Sequence, residues 1–328
     1  MPAKILAMRF QAMGDMVITL PYLLSLKKQL PGSTLHFLTR DEVAEIPRGI
    51  ELFDNVVVIK GRRNVKVQLL YCLLKLPWLW KQRYDVVIDL QNHVLSNLLL
   101  KLLRPTAWSS FDKFSPQLAG ERTRLTINAL NLYPVQIETT FTYKAKQLTL
   151  AVEEKLAKHG WVKTRKLIII NPAGAFQSRH WPMENYIAFC KRWLQQNEDI
   201  QFVIMGLPSL HAKAQWLKEQ LGNNLINLVD DTNAMEAFAI VQKAHLTLTE
   251  DSGLMHMSWV QGIPTLALFG STRNDWSAPT GKWSICLNSS DLACGNCMQP
   301  ICQFGDTHCL TRYTPEFVFQ ESRKLTHT

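Results

Sequence analysis

Short apolar runs alternate with longer stretches of helical spacing along this chain, and the alternation runs through twice. Ile5–Met8 reads as a first strand, followed by a loop over Arg9–Asp15 and a helical pattern from about Met16 to Leu30 that stops at Pro31-Gly32. Leu35–Leu38, Val56–Ile59 and Val86–Leu90 read as further strands, with helical patterns between them. The rhythm restarts at Lys166–Asn171, which contains the unbroken apolar run Leu167-Ile168-Ile169-Ile170. Phe202–Met205, Ile226–Leu228, His245–Thr249 and Thr265–Phe269 follow, each separated by a helical pattern. Apolar strands separated by helices predict parallel sheets covered on both faces. Two such series predict an α/β protein of two doubly wound, Rossmann-like domains facing a central cleft. The junction is expected near Lys155–Arg165, giving domains 1–163 and 164–328, with the last helix a candidate to pack back on the first domain. Ligands of such sheets bind beyond the carboxyl ends of the strands, so the segments after each strand are where function is sought.

The most telling of these segments is Glu250-Asp251-Ser252-Gly253-Leu254-Met255-His256, between a strand pattern and a helix pattern that ends at Gly262-Ile263-Pro264. A strand that turns directly into a helix at Asp-Ser-Gly leaves unpaired backbone N–H groups and the positive end of the helix dipole at the turn. That is an anion site, although Asp and Ser are also ordinary N-caps. Other post-strand segments are Arg9–Pro21, with Gly14-Asp15 at its centre, then Asn171-Pro172-Ala173-Gly174 running into Ser178-Arg179-His180-Trp181-Pro182, then Gly206, and finally Phe269-Gly270-Ser271-Thr272.

A length of 328 residues suits two cores better than one, and 47% hydrophobic with 19% charged residues excludes a disordered or fibrous chain. The net charge of +9 changes the picture more, because it is placed unevenly. Residues 1–163 carry 23 Lys and Arg against 13 Asp and Glu, whereas residues 164–328 carry 13 against 14. The excess peaks between Lys60 and Arg83, where Arg62, Arg63, Lys66, Lys75 and Lys81 meet no acidic residue and alternate with leucines, Trp78 and Trp80. Such a segment can lie on an anionic membrane surface; a core-facing helix with a solvated basic flank accounts for the same pattern. No recognised nucleic-acid-binding motif accompanies the charge, so nucleic acid is not expected as a partner. The apolar run in Met1–Ala7 is too short for a signal peptide, and no uncharged run has the length of a membrane span. A cytoplasmic protein is therefore expected.

Taken together, the Gly14-Asp15 turn, the His180-Trp181-Pro182 turn and the Asp251-Ser252-Gly253-x-x-His256 turn resemble glycosyltransferase family 9, the lipopolysaccharide heptosyltransferases of GT-B fold. The resemblance covers roughly the whole chain, and Tyr84–Gln91 is similar to the family's first-domain strand. It implies an inverting, metal-independent transfer of a heptose or related sugar from a nucleotide diphosphate, with ADP-heptose favoured, to a phosphorylated inner-core glycolipid at the inner membrane. The first domain then takes the acceptor and the second the donor. By the same resemblance Asp15 is the catalytic base, though Asp also suits the N-cap of a helix starting at Met16. Arg179 and the Ser252-Gly253 turn hold the diphosphate, while Asp251, His256, Ser271 and Thr272 contact the donor. The family often carries Lys where Arg179 stands; the arginine fork keeps the phosphate role with a different geometry. For His256 a buried, satisfied histidine is the competing account, as a surface ion pair is for Arg179. Arg62, Arg63 and Lys66 face the acceptor or the membrane. Asp251 has no second carboxylate at metal-binding spacing, since Glu250 points the other way on a continuing strand. A monomer peripheral to the inner membrane is expected.

Seven cysteines remain. Cys72, Cys190 and Cys286 lie in apolar contexts and read as core residues. Cys294, Cys297, Cys302 and Cys309 cluster near the end; the first spacing suits a structural zinc and the others match no standard signature. Three other functions use similar folds. A nicotinamide-dependent oxidoreductase needs a Gly-x-Gly-x-x-Gly turn after the first strand, and Arg9–Asp15 holds one glycine. A non-catalytic nucleotide- or membrane-binding protein has no use for Asp15. A nucleotide-sugar epimerase leaves the basic first half unexplained.

Overall fold

The computed structural model describes residues 2–196 and 199–326, and its contacts divide into two compact units at Ala145/Lys146. The first unit runs β1 (Lys4–Met8), α1 (Met13–Gln29), β2 (Thr34–Arg40), α2 (Glu45–Gly49), β3 (Asn55–Ile59), α3 (Val65–Gln82), β4 (Val86–Asp89), α4 (Val94–Leu103), β5 (Ala107–Ser110) and α5 (Ala119–Asn128). Its sheet is parallel in the order β3-β2-β1-β4-β5. The second unit runs α6 (Leu148–Lys158), β6 (Lys166–Asn171), α7 (Met183–Gln195), β7 (Ile200–Gly206), α8 (His211–Leu221), β8 (Leu225–Val229), α9 (Ala234–Val241), β9 (Ala244–Glu250), α10 (Gly253–Val260), β10 (Thr265–Leu268), α11 (Asn274–Ser277), β11 (Ser284–Leu287), α12 (His308–Thr311) and α13 (Pro315–Thr326). Its sheet is also parallel, in the order β11-β10-β9-β6-β7-β8.

Each sheet therefore starts in its middle and is wound outward in both directions. The winding reverses between β1 and β4 in the first unit and between β6 and β9 in the second. The loops leaving those paired strands diverge to opposite faces, which opens a crevice at the carboxyl edge. The central strands are buried on both faces, as their apolar runs required: Ile168, Ile169 and Ile170 are wholly inaccessible.

The unit boundary lies ahead of the expected junction at 163/164, for a local reason. The segment after α5 returns to the first unit, where Glu51 N–H donates to the Thr142 carbonyl (2.9 Å) and Lys144 Nζ to the Phe53 carbonyl (2.8 Å). Helix α6 belongs to the second unit, with Lys155 meeting Glu236 at 2.9 Å and Glu153 meeting Lys243 at 2.5 Å. The last helix lies in the second unit's own core: Val318, Phe319 and Leu325 are buried there, and Phe319 meets Trp193 edge-on at 5.3 Å. Phe319→Ala empties that aromatic contact, so a loss of about 3–5 kcal/mol in denaturant unfolding is expected. A loss below about 1 kcal/mol would show that α13 is not part of this core.

Candidate active site

In the first unit the polar groups gather at the β1/β4 reversal. Asp15 is not the N-cap that a helix starting at Met16 would give it. Helix α1 begins at Met13 with Ala12 as cap, so Asp15 sits within the first turn and accepts the Ala12 N–H at 3.3 Å. The helix starts early because Met13-Gly14 adds a turn that the loop pattern concealed. The Asp15 carboxylate meets the guanidinium of Arg9 at 2.7 Å and remains 41% exposed, whereas Arg9 is buried. Arg9 is fixed in turn: Nε donates to the Gln11 carbonyl at 2.9 Å, Nη1 donates to the Leu90 carbonyl, and its plane lies 5.3 Å from the Phe111 ring. Arg122 stacks on the same ring at 5.0 Å; burial pushes its guanidinium down and the Asp15 charge opposes this. Gln91, beyond β4, ties the two loops together by accepting the N–H groups of Phe10 (2.9 Å) and Gln11 (3.0 Å).

Beside these residues lies a cavity of about 410 Å³ lined by Phe10, Gln11, Arg40, Arg63, Val65, Gln68, Gln91 and His93. Of the three basic residues expected to face the acceptor, Arg63 lines it, while Arg62 and Lys66 are exposed at the start of α3. Arg62 contributes its carbonyl, which accepts from Arg40 at 2.8 Å. Arg40 was not singled out by the sequence, although it ends β2 and so obeys the rule that functional groups follow strands.

The second unit builds its site at the β6/β9 reversal around a buried carboxylate. Glu250, the last residue of β9, accepts the N–H groups of Gly174 (2.7 Å) and Trp181 (2.8 Å) and the Tyr186 hydroxyl (3.2 Å). Burial pushes its carboxyl up to about 7, against the charge of Lys213 and these three hydrogen bonds. The clamp fixes the loop after β6. A Cβ on Gly174 would stand 2.7 Å from Arg179 Cβ and 2.9 Å from the Glu250 carboxylate, so only glycine permits this approach. His180 Nε2 donates to the Gly174 carbonyl at 2.8 Å, and burial pushes the imidazole down.

Arg179 emerges from the clamped turn stacked over Phe176 at 4.4 Å and paired with Asp251 at 3.2 Å. The structure thus brings together Arg179, Asp251 and the start of α10. Ser252 stands at the cap position of α10 but makes no cap bond with its side chain; its hydroxyl accepts from Asn171 at 2.7 Å. The leading N–H groups of α10, from Gly253 onward, are therefore left uncapped by that side chain. His256 is buried in the first turn of the same helix. Ser271 is a structural tie rather than an open contact, since its hydroxyl meets that of Ser178 at 2.8 Å. Thr272 beside it is buried as well. Glu250 was passed over in the sequence because it points away from Asp251. That geometry is what buries it, and no local motif distinguishes a buried strand-end carboxylate from an exposed one.

The four clustered cysteines are free thiols that line a smaller cavity of about 150 Å³ together with His308 and Ser271. Cys294 Sγ lies 3.3 Å from His308 Nε2. Among the described residues no group of three or more His, Cys, Asp or Glu side chains is arranged to hold a metal ion, so the tail cysteines are not set as a structural zinc would need.

Two parallel α/β units, each wound outward from a central strand, have the architecture of the GT-B fold. The model for glycosyltransferase family 9 (heptosyltransferase) matches residues 78–308, and the chain belongs to that family. It is 25% identical over 322 residues to lipooligosaccharide heptosyltransferase 2 of Campylobacter jejuni, covering 95% of this chain and 96% of the relative. Among solved structures it is similar to a family 9 glycosyl transferase from Veillonella parvula (TM-score 0.82, 20% identity, 99% and 97% of the two chains). It is also similar to an E. coli heptosyltransferase with ADP-2-deoxy-2-fluoro heptose (TM-score 0.69, 19% identity, 98% and 99%).

The Glu250 clamp makes stability depend on pH with a definite sign. Its carboxyl takes up a proton more readily folded than unfolded, so its contribution is complete below about 4.5, the ordinary value, and is lost as pH rises through about 7. Unfolding free energy is expected to fall by on the order of 1–3 kcal/mol across that window. Glu250→Gln cannot ionise and is expected to flatten the dependence in denaturant titrations at pH 5 and pH 8. An unchanged slope in the variant would overturn the assignment.

Proposed function

We propose that this enzyme moves a heptose, or a related sugar, from a nucleotide diphosphate donor, ADP-heptose, to a phosphorylated inner-core lipopolysaccharide acceptor. The transfer is inverting and needs no metal ion. The observation that carries the reading is the Asp15 carboxylate: it stands beyond β1, is still open to solvent, and is oriented by a buried arginine. Such a group can take the proton of an acceptor hydroxyl as the oxygen attacks the anomeric carbon. The bond from that carbon to the diphosphate breaks on the opposite face, which inverts the centre. Negative charge then grows on the leaving diphosphate. The Arg179 fork and the start of α10 are the groups suited to stabilise it, so a divalent cation has no necessary part. Asp251 presets the Arg179 fork at 3.2 Å, and Ser252, Gly253, His256 and Thr272 shape the donor's surroundings.

On the acceptor side, Arg40 and Arg63 give the first unit's cavity a positive lining suited to phosphate or carboxylate groups. Arg62 and Lys66 extend that charge outward. An epimerase, having no glycolipid acceptor, leaves this cavity without a purpose. The heptosyltransferase names of the relatives and the ADP-sugar in the E. coli structure support the same donor and acceptor classes. We place the reaction at the cytoplasmic surface of the membrane that anchors the acceptor, carried out by a monomer.

The test is nucleotide release from ADP-heptose with a panel of truncated core glycolipids. Asp15→Asn keeps the shape and removes the base, so turnover is expected to fall about 10²-fold or more with donor affinity retained. Undiminished turnover would sink the base. Arg179→Ala is expected to weaken donor binding, measured calorimetrically, by about tenfold or more. Unchanged affinity would sink the diphosphate contact.

A further inference from the structure

Helix α3 is apolar on the side it turns to water. Its inward stripe is narrow and consists of Gln68, Cys72, Leu76 and Leu79, all buried. The opposite stripe, at the same helical spacing, is Lys66, Leu70, Leu73, Leu74, Pro77 and Lys81. Leu70 is 54% exposed, Leu74 64% and Trp80 51%. Helix α4 continues the face with Val94, 74% exposed, and Leu98. The two helices are joined by Trp80 Nε1, which donates to the Leu102 carbonyl at 2.9 Å. Scattered exposed leucines need no explanation, but a contiguous strip along two neighbouring helices does.

Charge says what covers the strip. From Lys60 to Arg104 the only acidic residues are Asp85 and Asp89, and Asp89 is wholly buried. Lys66, Lys75, Lys81, Arg83, Lys101 and Arg104 are all exposed. A second copy laid face to face on this strip would set like charges against like. No described helix is long and apolar enough to cross a membrane. Apolar side chains bordered by lysines suit a surface that is negative outside and hydrocarbon within.

We propose that the outer face of α3, continued by α4, docks the protein on an anionic phospholipid bilayer, with Leu70, Leu73, Leu74 and Trp80 entering the interface and the lysines meeting lipid phosphates. The first turns of α3 also line the basic cavity, through Val65 and Gln68. One helix therefore borders both the lipid surface and the pocket proposed for the acceptor's head group. This deepens the acceptor side of the proposed function and rests on it for purpose, while the docking itself needs no chemistry.

The experiment is sedimentation of the full chain with vesicles of phosphatidylethanolamine and phosphatidylglycerol, and with vesicles of phosphatidylcholine alone. The variants are Leu70→Gln/Leu74→Gln and Lys75→Glu/Lys81→Glu, all at exposed positions, with folding checked by thermal melting. The wild type is expected to sediment with the anionic vesicles and not with the neutral ones, and each variant to lose about tenfold or more in partitioning. Turnover on a short soluble acceptor is expected to stay unchanged in the variants, while turnover on acceptor embedded in vesicles falls with binding. Wild type left in the supernatant of anionic vesicles overturns the proposal, as do variants that bind like wild type. A wild-type dimer that Leu70→Gln/Leu74→Gln dissociates, with vesicle binding unaffected, overturns it in favour of a second copy. Vesicle binding without any sugar transfer would instead overturn the proposed function and leave the docking surface standing.

Discussion

A parallel strand cannot return to its neighbour by a tight turn, and everything functional here follows from that constraint. Each crossover must travel through a helix, so each sheet grows outward from a central strand and reverses its winding once. At the reversal two loops part, and the backbone there has no neighbour to pair with. Both units use the vacancy in the same way. Side chains rather than backbone close the gap: Gln91 joins the loops after β1 and β4, and Glu250, at the end of β9, holds the loop after β6. Those two acceptors set where Asp15 and Arg179 can stand.

The two closures differ in kind. Gln91 is a neutral amide, partly open to water, and makes a local repair. Glu250 is a carboxylate with no access to solvent, held by three donors and one nearby cation. A buried carboxylate is costly unless its acceptors are filled, and filling them from two backbone N–H groups makes the loop geometry rigid. Gly174 is part of the same bargain, because the loop reaches Glu250 only by passing within a methyl group's radius of Arg179. Glu250 need not touch a substrate to matter; it fixes the turn that carries Arg179.

The sequence displayed the central strands plainly, because burial on both faces writes them as unbroken runs such as Leu167–Ile170. Two of the edge strands, β5 and β11, were not legible. In β5, Ala-Trp-Ser-Ser is half-exposed, and β11 is only four residues long, so neither carries the signal that burial imposes. The start of α1 was hidden because Met13-Gly14 looks like loop. Local turns announced Asp15, Arg179 and Asp251. Arg9, Arg40 and Arg122 did not announce themselves, since their roles come from a shared aromatic ring and a cavity formed by residues far apart in sequence. The basic, leucine-rich segment allowed two accounts: the core-facing stripe of one is present in α3, and the outer face is apolar as well as basic.

The segment beyond β11 has a bearing on how the chain is made. Ser178, next to Arg179, donates its N–H to the Pro300 carbonyl at 3.2 Å, Met298 donates to Ser271 at 2.8 Å, and Trp181 reaches the Tyr313 carbonyl at 2.9 Å. The turn that carries Arg179 is thus braced by residues synthesised more than a hundred positions later. The first unit is contiguous and complete by residue 145, so it can fold while the ribosome is still working. The second unit cannot finish its turn until the stretch through Tyr313 has left the exit tunnel. A nascent chain stalled before that point carries the half bearing Asp15 in finished form and a half bearing Arg179 that still lacks its supports.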